Sequence, residues 1–417
     1  MEVLQFTPAE AERYLSEGTP AAAELIIRET LSRNPRDPAA WLVLSRVSAA
    51  LGDGTGAERF ARVAKDLSDT AAPARGGGDR FLLIKAWGYG FCSDLDHVLG
   101  GLLLCEISGR TPVTHWGGNS LFSADPGKDA FREYFEPLSP FSIDDLVGKG
   151  HDFWPPKWRE SNLRAERFQK QWGEHSRVSS LEMVHRPERV VVSDYHSGIA
   201  VLQPWIPAGH PMHGRPVDDV YRYLFSKYIK PAPDIKALVD EFAAAYFTNR
   251  PIIAVHIRGG DKYQEDPQLQ QKIAVYPQAI EHLSQGNLSA KIFLLTDATQ
   301  IVEDYKKRYG PRLIVADCLR TSTQKGLHYM GYPDRRRLGV EVLRDMYLAA
   351  RCDKFIGIGS SNVSCMISYV KAWPPGSVVM LGPMMTGKTE PYLYMNYEQL
   401  KRYFASDRVE NWKRTQA

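Results

Sequence analysis

Beyond residue 80, short runs of consecutive apolar residues alternate with longer segments whose apolar positions recur every three or four residues. The run FLLIKA over 81–86 predicts a strand, a glycine-containing turn follows, and a helix runs through 97–108 ahead of a strand over 111–115. The same rhythm returns later: helix 235–247, strand 252–257, helix 277–284, strand 291–296, helix 300–309 and strand 313–316. Helix 337–351, strand 354–358, helix 362–370 and strand 377–381 complete it. Strands and helices in strict alternation build parallel sheets covered on both faces. Two such blocks predict two Rossmann-like α/β domains facing each other across a cleft, one over 80–235 and one over 236–417. Ligands of such sheets sit beyond the carboxyl ends of the strands, so chemistry is sought in the residues that follow each strand.

Before residue 80 the period is helical throughout. Trp41, Leu44, Ala57 and Ala64 fall at the offsets of a tetratricopeptide repeat, Pro35 and Pro38 punctuate the chain before it, and 52–56 (GDGTG) reads as the turn between its helices. Earlier helical segments over 8–16 and 21–33 supply a partial neighbour. A stable array needs about three repeats. Residues 1–72 are therefore expected to form a small all-α module, with two readings of equal weight: a docking unit for a protein partner, or a cap on the next domain. The Gly/Pro-rich stretch 72–79 reads as a linker.

Charge and cysteine usage narrow the function. A formal charge of +3 gives no support to nucleic acid or an anionic membrane as partner. Cys92, Cys105, Cys318, Cys352 and Cys365 are odd in number and contain no Cys-x-x-Cys pair, which argues against a disulfide framework and a structural zinc. With no basic-then-apolar leader and no run of 18 apolar residues, a cytoplasmic protein without a membrane span is expected. The sequons at Asn287 and Asn362 matter only in a secreted protein.

Two strand ends carry the chemistry. After PIIAVHI come Arg258, Gly259, Gly260, Asp261 and Lys262. Glycines let a backbone approach a ligand closely, an arginine forks two oxygens and a lysine adds a point charge, so this terminus suits a diphosphate. His256 lies two residues earlier and shares a face with Arg258. The plainer reading is a surface turn with Asp261 paired to an arginine. The second strand end leads into Ser360, Ser361 and Asn362 at a helix start, an anion site by construction, though serine is also an ordinary cap. Asp345 stands in the mostly apolar helix before it. It is either paired with Arg344 or Arg351 on the surface, or it accepts the N–H groups of a guanine.

Set in order, these segments resemble the α1,6-fucosyltransferases, including the bacterial nodulation type. Lys227-Tyr-Ile-Lys-Pro-Ala-Pro233 leads into a helix and then Val255-His-Ile-Arg-Gly-Gly-Asp-Lys262; Leu295-Thr-Asp297, Gly326-Leu-His328, Asp345 and Ser360-Ser-Asn-Val363 follow. Gly88-Tyr-Gly90 and Leu95-Asp-His-Val98 are similar to that family's first loop and helix. The likeness covers roughly 80–120 and 220–375 and implies a GT-B-like fold, with 80–235 as acceptor domain and 236–417 as GDP-sugar donor domain, and an inverting, metal-independent transfer of fucose from GDP-fucose to a glycan hydroxyl, with no cofactor. It implies that Arg258 holds the β-phosphate, that His256 and Asp345 contact guanine, and that Ser360, Ser361 and Asn362 lie by the diphosphate. Gly88, Gly90 and His328 also fall on the donor side. Lys262 is implied near the reacting centre, with Glu265 or Asp266 as base: Asp266 has the family's spacing, Glu265 the longer reach. The family commonly has a second arginine where this chain has Gly259; the missing charge is expected from Lys262, Arg335 or Lys388.

Three other signals compete. Gly382-Pro-Met-Met-Thr-Gly-Lys-Thr389 fits a phosphate-binding P-loop and makes a nucleotide hydrolase the rival enzyme, but Pro391 follows two residues later and only 28 residues remain after Thr389. Asp94-Leu-Asp96 has the form of a metal–nucleotide motif; at a helix start it reads as structural. The Trp- and Arg-rich stretch 151–172 reads as an amphipathic helix, with an acceptor cleft as the alternative. A non-catalytic scaffold on a degenerate transferase is the reading from outside the enzymes.

Overall fold

The computed structural model describes residues 6–34, 37–68, 80–165, 180–382 and 384, apart from 185, 261, 267 and 324. The chain opens with four helices, Pro8–Ser16, Pro20–Arg33, Pro38–Ala50 and Gly54–Ser68, each packed on its successor. Proline at the first position fits where an N–H has no intrahelical partner, and Thr7 and Asp37 cap the first and third helices. The turn expected over 52–56 is shorter, because Gly54 already opens the fourth helix. Trp41 is fully buried against Phe60, with ring centroids 5.6 Å apart. Helix Gly54–Ser68 touches helix Ser180–Met183, and its apolar face continues the core of the next unit. The linker stretch lies outside the described residues.

Two parallel sheets follow. The first contains β1 (Phe81–Lys85), β2 (Thr111–His115), β3 (Phe153–Trp154) and β4 (Val190–Ser193), in the order β2-β1-β4-β3. The second contains β5 (Ile252–Ile257), β6 (Lys291–Thr296), β7 (Leu313–Val315), β8 (Lys354–Ile358) and β9 (Val378–Leu381), in the order β7-β6-β5-β8-β9. Every pairing is parallel. β5 is buried along its whole length, as expected of a strand covered on both faces. From β5 the chain winds outward through β6 and β7, then crosses back to β8 on the other side, so the crevice between β5 and β8 is a topological switch point. β1 and β4 make the corresponding crevice in the first sheet. These are the two Rossmann-like halves expected of a GT-B-like architecture.

Two helix starts differ from the expectation by more than two residues. The helix expected through 97–108 begins at Phe91, directly after Gly90. The helix expected from Pro277 begins at Leu269, with Pro277 inside it. Leu269, Ile273, Tyr276 and Ile280 follow helical spacing and carry its apolar face back beyond the proline.

The halves are in intimate contact. Helix Val217–Tyr228 packs on both helix Phe91–Ser108 and helix Asn362–Val370. Tyr221 stacks on Tyr369 with ring centroids 4.2 Å apart and planes within 4°.

Candidate active site

β5 and β6 run in register to their last residues, Ile257 opposite Thr296, so Arg258 and Asp297 emerge side by side. They form an ion pair, and Asp297 also accepts the Gly259 N–H at 2.8 Å. Gly260 turns the chain with φ of +53°, where a side chain would meet the Asp297 carboxylate at 2.9 Å. The expected surface turn is thus a built corner. Its acid is Asp297; Asp261 lies outside the described residues. Lys262 opens the short helix Lys262–Glu265, its N–H donating to the Gly259 carbonyl at 3.1 Å.

Across the switch point, β8 ends at Ile358 and helix Asn362–Val370 starts after Ser361, whose hydroxyl makes no capping bond. Arg258, Lys262, Ser360, Ser361 and Asn362 all open into one cavity of about 360 Å³, within the ~300–1,000 Å³ range of small-molecule sites. His256 faces the same cavity, buried, its Nδ1 2.6 Å from the Ser364 hydroxyl. That oxygen also accepts the Ile358 N–H at 3.1 Å. Burial pushes the His256 imidazole down to about 4, so it is neutral.

Asp345 and Glu341 come to the cavity from helix Arg335–Arg351. Asp345 is paired with Arg344, as one reading expected, but in a buried setting. Both Arg344 bonds, at 2.9 and 2.8 Å, fall on Oδ1, leaving Oδ2 outside that pair. Burial holds this carboxyl above the usual range, with Arg344 opposing. Glu341 accepts the Leu319 N–H at 2.8 Å and an Arg337 N–H at 2.7 Å.

The other bank belongs to the first half. Gly88 has φ of +91° and sits behind the wall; its N–H and that of Tyr89 donate to Asp94 Oδ1 at 3.0 and 3.4 Å. Trp87, Tyr89 and Gly90 face the cavity from this loop, and His328 and Tyr329 from the turn after Gly326.

The structure therefore brings His256, Arg258, Lys262, Asp345, Ser360, Ser361, Asn362, Gly90 and His328 to one cavity. Asp266 does not reach its wall: the carboxylate bonds Lys272 at 2.7 Å and the Ser360 hydroxyl at 2.9 Å, and Lys272 draws it below its ordinary range. The Glu265 side chain and Lys388 lie outside the described residues, as does residue 385 onward of the P-loop pattern. Arg335 is turned away from the wall, donating to the carbonyls of His328 at 2.7 Å and Leu121 at 3.4 Å. Asp94 and Asp96 are buried and bonded within the protein, Asp96 to His196 and Tyr221. Asp297, Glu341 and the Trp87–Tyr89 pair carried no assigned role in the sequence. The signal for Asp297 was available: an acid one residue past β6, beside an arginine one residue past β5.

Among the described residues no helix is long and apolar enough to cross a membrane. All five cysteines are free thiols.

Comparison with known proteins places this geometry in context. Residues 213–371 match the family model of nodulation protein Z. Nodulation protein Z of Bradyrhizobium diazoefficiens is 22% identical over 322 residues, covering 71% of this chain and 80% of that protein. A solved NodZ alpha-1,6-fucosyltransferase soaked with GDP-fucose is 20% identical, with a TM-score of 0.47 over 70% of this chain and 93% of that one. A mutant of Arabidopsis thaliana FUT1 in complex with GDP is 13% identical, with a TM-score of 0.46 over 84% of this chain and 81% of its own.

Proposed function

We propose, from a chain whose residues 213–371 carry the nodulation protein Z family domain, that this protein transfers a fucosyl residue from GDP-fucose to a hydroxyl of a carbohydrate acceptor. One observation supports this most directly. The basic end of β5 and the open start of helix Asn362–Val370 converge on a single cavity at a switch point. A guanidinium, an ammonium and unpaired helix N–H groups are the equipment for a diphosphate. Asp345 and neutral His256 provide acceptor and donor groups for the base of the nucleotide. The identity of sugar and nucleotide comes from the kinship, through a NodZ protein that is an alpha-1,6-fucosyltransferase soaked with GDP-fucose.

The chemistry follows from the groups present. An acceptor oxygen attacks the anomeric carbon, the bond from that carbon to the β-phosphate oxygen breaks, and GDP leaves with the electron pair. Arg258, Lys262 and the helix start meet the charge that develops on the leaving group. A single displacement inverts the anomeric carbon, so a β-linked donor gives an α-linked product. Glu265 and Asp266 are the carboxylates considered for the acceptor proton. For Asp266 that role requires release from Lys272 and Ser360.

Calorimetric titration with GDP tests the core of this. Arg258→Ala should weaken binding by roughly 2–3 kcal/mol, the size of a lost charge-assisted contact. An unchanged affinity would show that the phosphates lie elsewhere. Because protein groups supply the positive charge, fucosyl transfer should persist in excess EDTA; activity that returns only with added manganese would contradict that part.

A further inference from the structure

Apart from Gly88 and Gly90, the groups assigned to the donor occupy the bank of the cleft built by the second sheet. The bank built by the first sheet is aromatic, and no step above uses it. Trp87 follows β1, while Tyr195 and His196 follow β4, so these side chains flank the first sheet's own switch point. That is where a parallel sheet accepts a ligand. The Trp87 ring lies 4.1 Å from that of Tyr89, 5.8 Å edge-on from Tyr195 and 5.4 Å from His196, centroid to centroid. The indole N–H is given to the Ser93 hydroxyl at 3.0 Å, so what the ring offers a ligand is its π surface. Trp87 and Tyr89 line the same cavity as Arg258, and Tyr89 is 39% exposed.

A polar pair stands beside these rings. His196 Nε2 lies 2.8 Å from Asp96 Oδ2, and Asp96 is buried with its Oδ1 accepting the Tyr221 hydroxyl at 2.6 Å. The imidazole is therefore held in orientation while its side chain stays 27% exposed.

A pyranose presents a face of C–H groups and a rim of hydroxyls. An aromatic surface covers the first, and an oriented imidazole answers the second. We propose that this wall is the acceptor subsite: a sugar ring of the acceptor lies against Trp87 and Tyr89, and one of its hydroxyls hydrogen-bonds His196. The proposal rests on the transferase reading, because it is the acceptor that must approach from the bank opposite the nucleotide.

Saturation-transfer NMR on the full chain tests both readings in one tube, with GDP and the tetramers of glucose, N-acetylglucosamine and mannose. In the wild type, GDP and the C–H protons of at least one tetramer receive saturation. Tyr89→Ala should lower the sugar signal by roughly five-fold, the worth of one aromatic contact, while Tyr89→Phe keeps it. His196→Ala should lower it too, and in all three variants the GDP signal should stay, which also shows that they fold. Sugar signals equal in wild type and Tyr89→Ala overturn the subsite, as does saturation of GDP with none of any tetramer. Loss of the GDP signal in the wild type instead sinks the transferase reading itself, and the subsite with it.

Discussion

Gly259 stands where the resembling family commonly carries a second arginine, and its surroundings explain why no side chain fits. A Cβ there would lie 2.8 Å from the Ala298 Cβ and 3.4 Å from Asp297 Oδ1, the oxygen that already accepts the Gly259 N–H. The corner is closed by backbone against Asp297, and the positive charge facing the cavity at this end comes from Arg258 and Lys262. Gly259→Ala should cost about 1–3 kcal/mol, the usual penalty of forcing a methyl into packed surroundings. Gly259→Arg should cost at least as much and give no gain in GDP affinity. Urea denaturation and calorimetry check the pair, and Ala298→Gly should restore much of the stability of Gly259→Ala by removing the atom it meets. A Gly259→Arg protein as stable as the wild type and tighter for GDP would mean that the corner opens freely.

Helix Phe91–Ser108 carries the first half's contribution to the cleft, and its first two turns hold Asp94, Asp96 and His97, all buried. Burial pushes the Asp94 carboxyl up to about 7, against the lowering effect of its bonds from the Gly88 and Tyr89 N–H groups. The folded protein keeps this proton up to about 7, whereas the unfolded chain releases it near the ordinary value of about 3.9. Between those values the unfolded state binds fewer protons, so this group lowers stability as pH rises from about 4 to about 7. Asp94→Asn removes the term. Its melting temperature should improve relative to wild type on going from pH 4 to pH 7, and a constant difference would refute the assignment. The comparison is needed because His97, pushed down to about 3 by burial, acts oppositely and loses stability as pH falls below its ordinary value. Those three polar residues also explain the late helix start expected from sequence. They look like surface residues in the pattern, yet they bond the loops after β1 and β4 and lie inside. The strands 252–257, 291–296 and 354–358 were legible to the residue, because a strand buried on both faces is a largely continuous apolar run. Arg258 and the Ser360–Asn362 start were legible for the same reason, as the residues that end such runs. The aromatic wall was not, because Trp87 and His196 meet only after β4 pairs with β1 across more than a hundred residues of chain.

At the scale of the whole molecule, the anion site and the contact between halves share an element. Helix Asn362–Val370 turns its start to the cavity and packs its flank on helices Phe91–Ser108 and Val217–Tyr228. A second weld lies at Tyr134, a fully buried residue of the first half whose hydroxyl donates to the Phe122 carbonyl at 2.8 Å. Its ring rests against Gly339 on helix Arg335–Arg351, where a Cβ would come within 2.5 to 2.7 Å of three ring and hydroxyl atoms. Glycine at 339 therefore sets how closely that helix approaches the first half, and the same helix delivers Glu341 and Asp345 to the cavity. Gly339→Ala should destabilise the protein by about 1–3 kcal/mol. It should also weaken GDP binding several-fold, although residue 339 is not on the cavity wall, because the helix must shift away and take Asp345 with it. If the effect runs through that contact, trimming the ring in a Tyr134→Leu background should make Gly339→Ala nearly silent, a coupling that a double-mutant cycle measures for residues in contact. Equal losses in both backgrounds would mean that residue 339 acts within its own helix, and that the cleft owes its width to Tyr221 and Tyr369 instead.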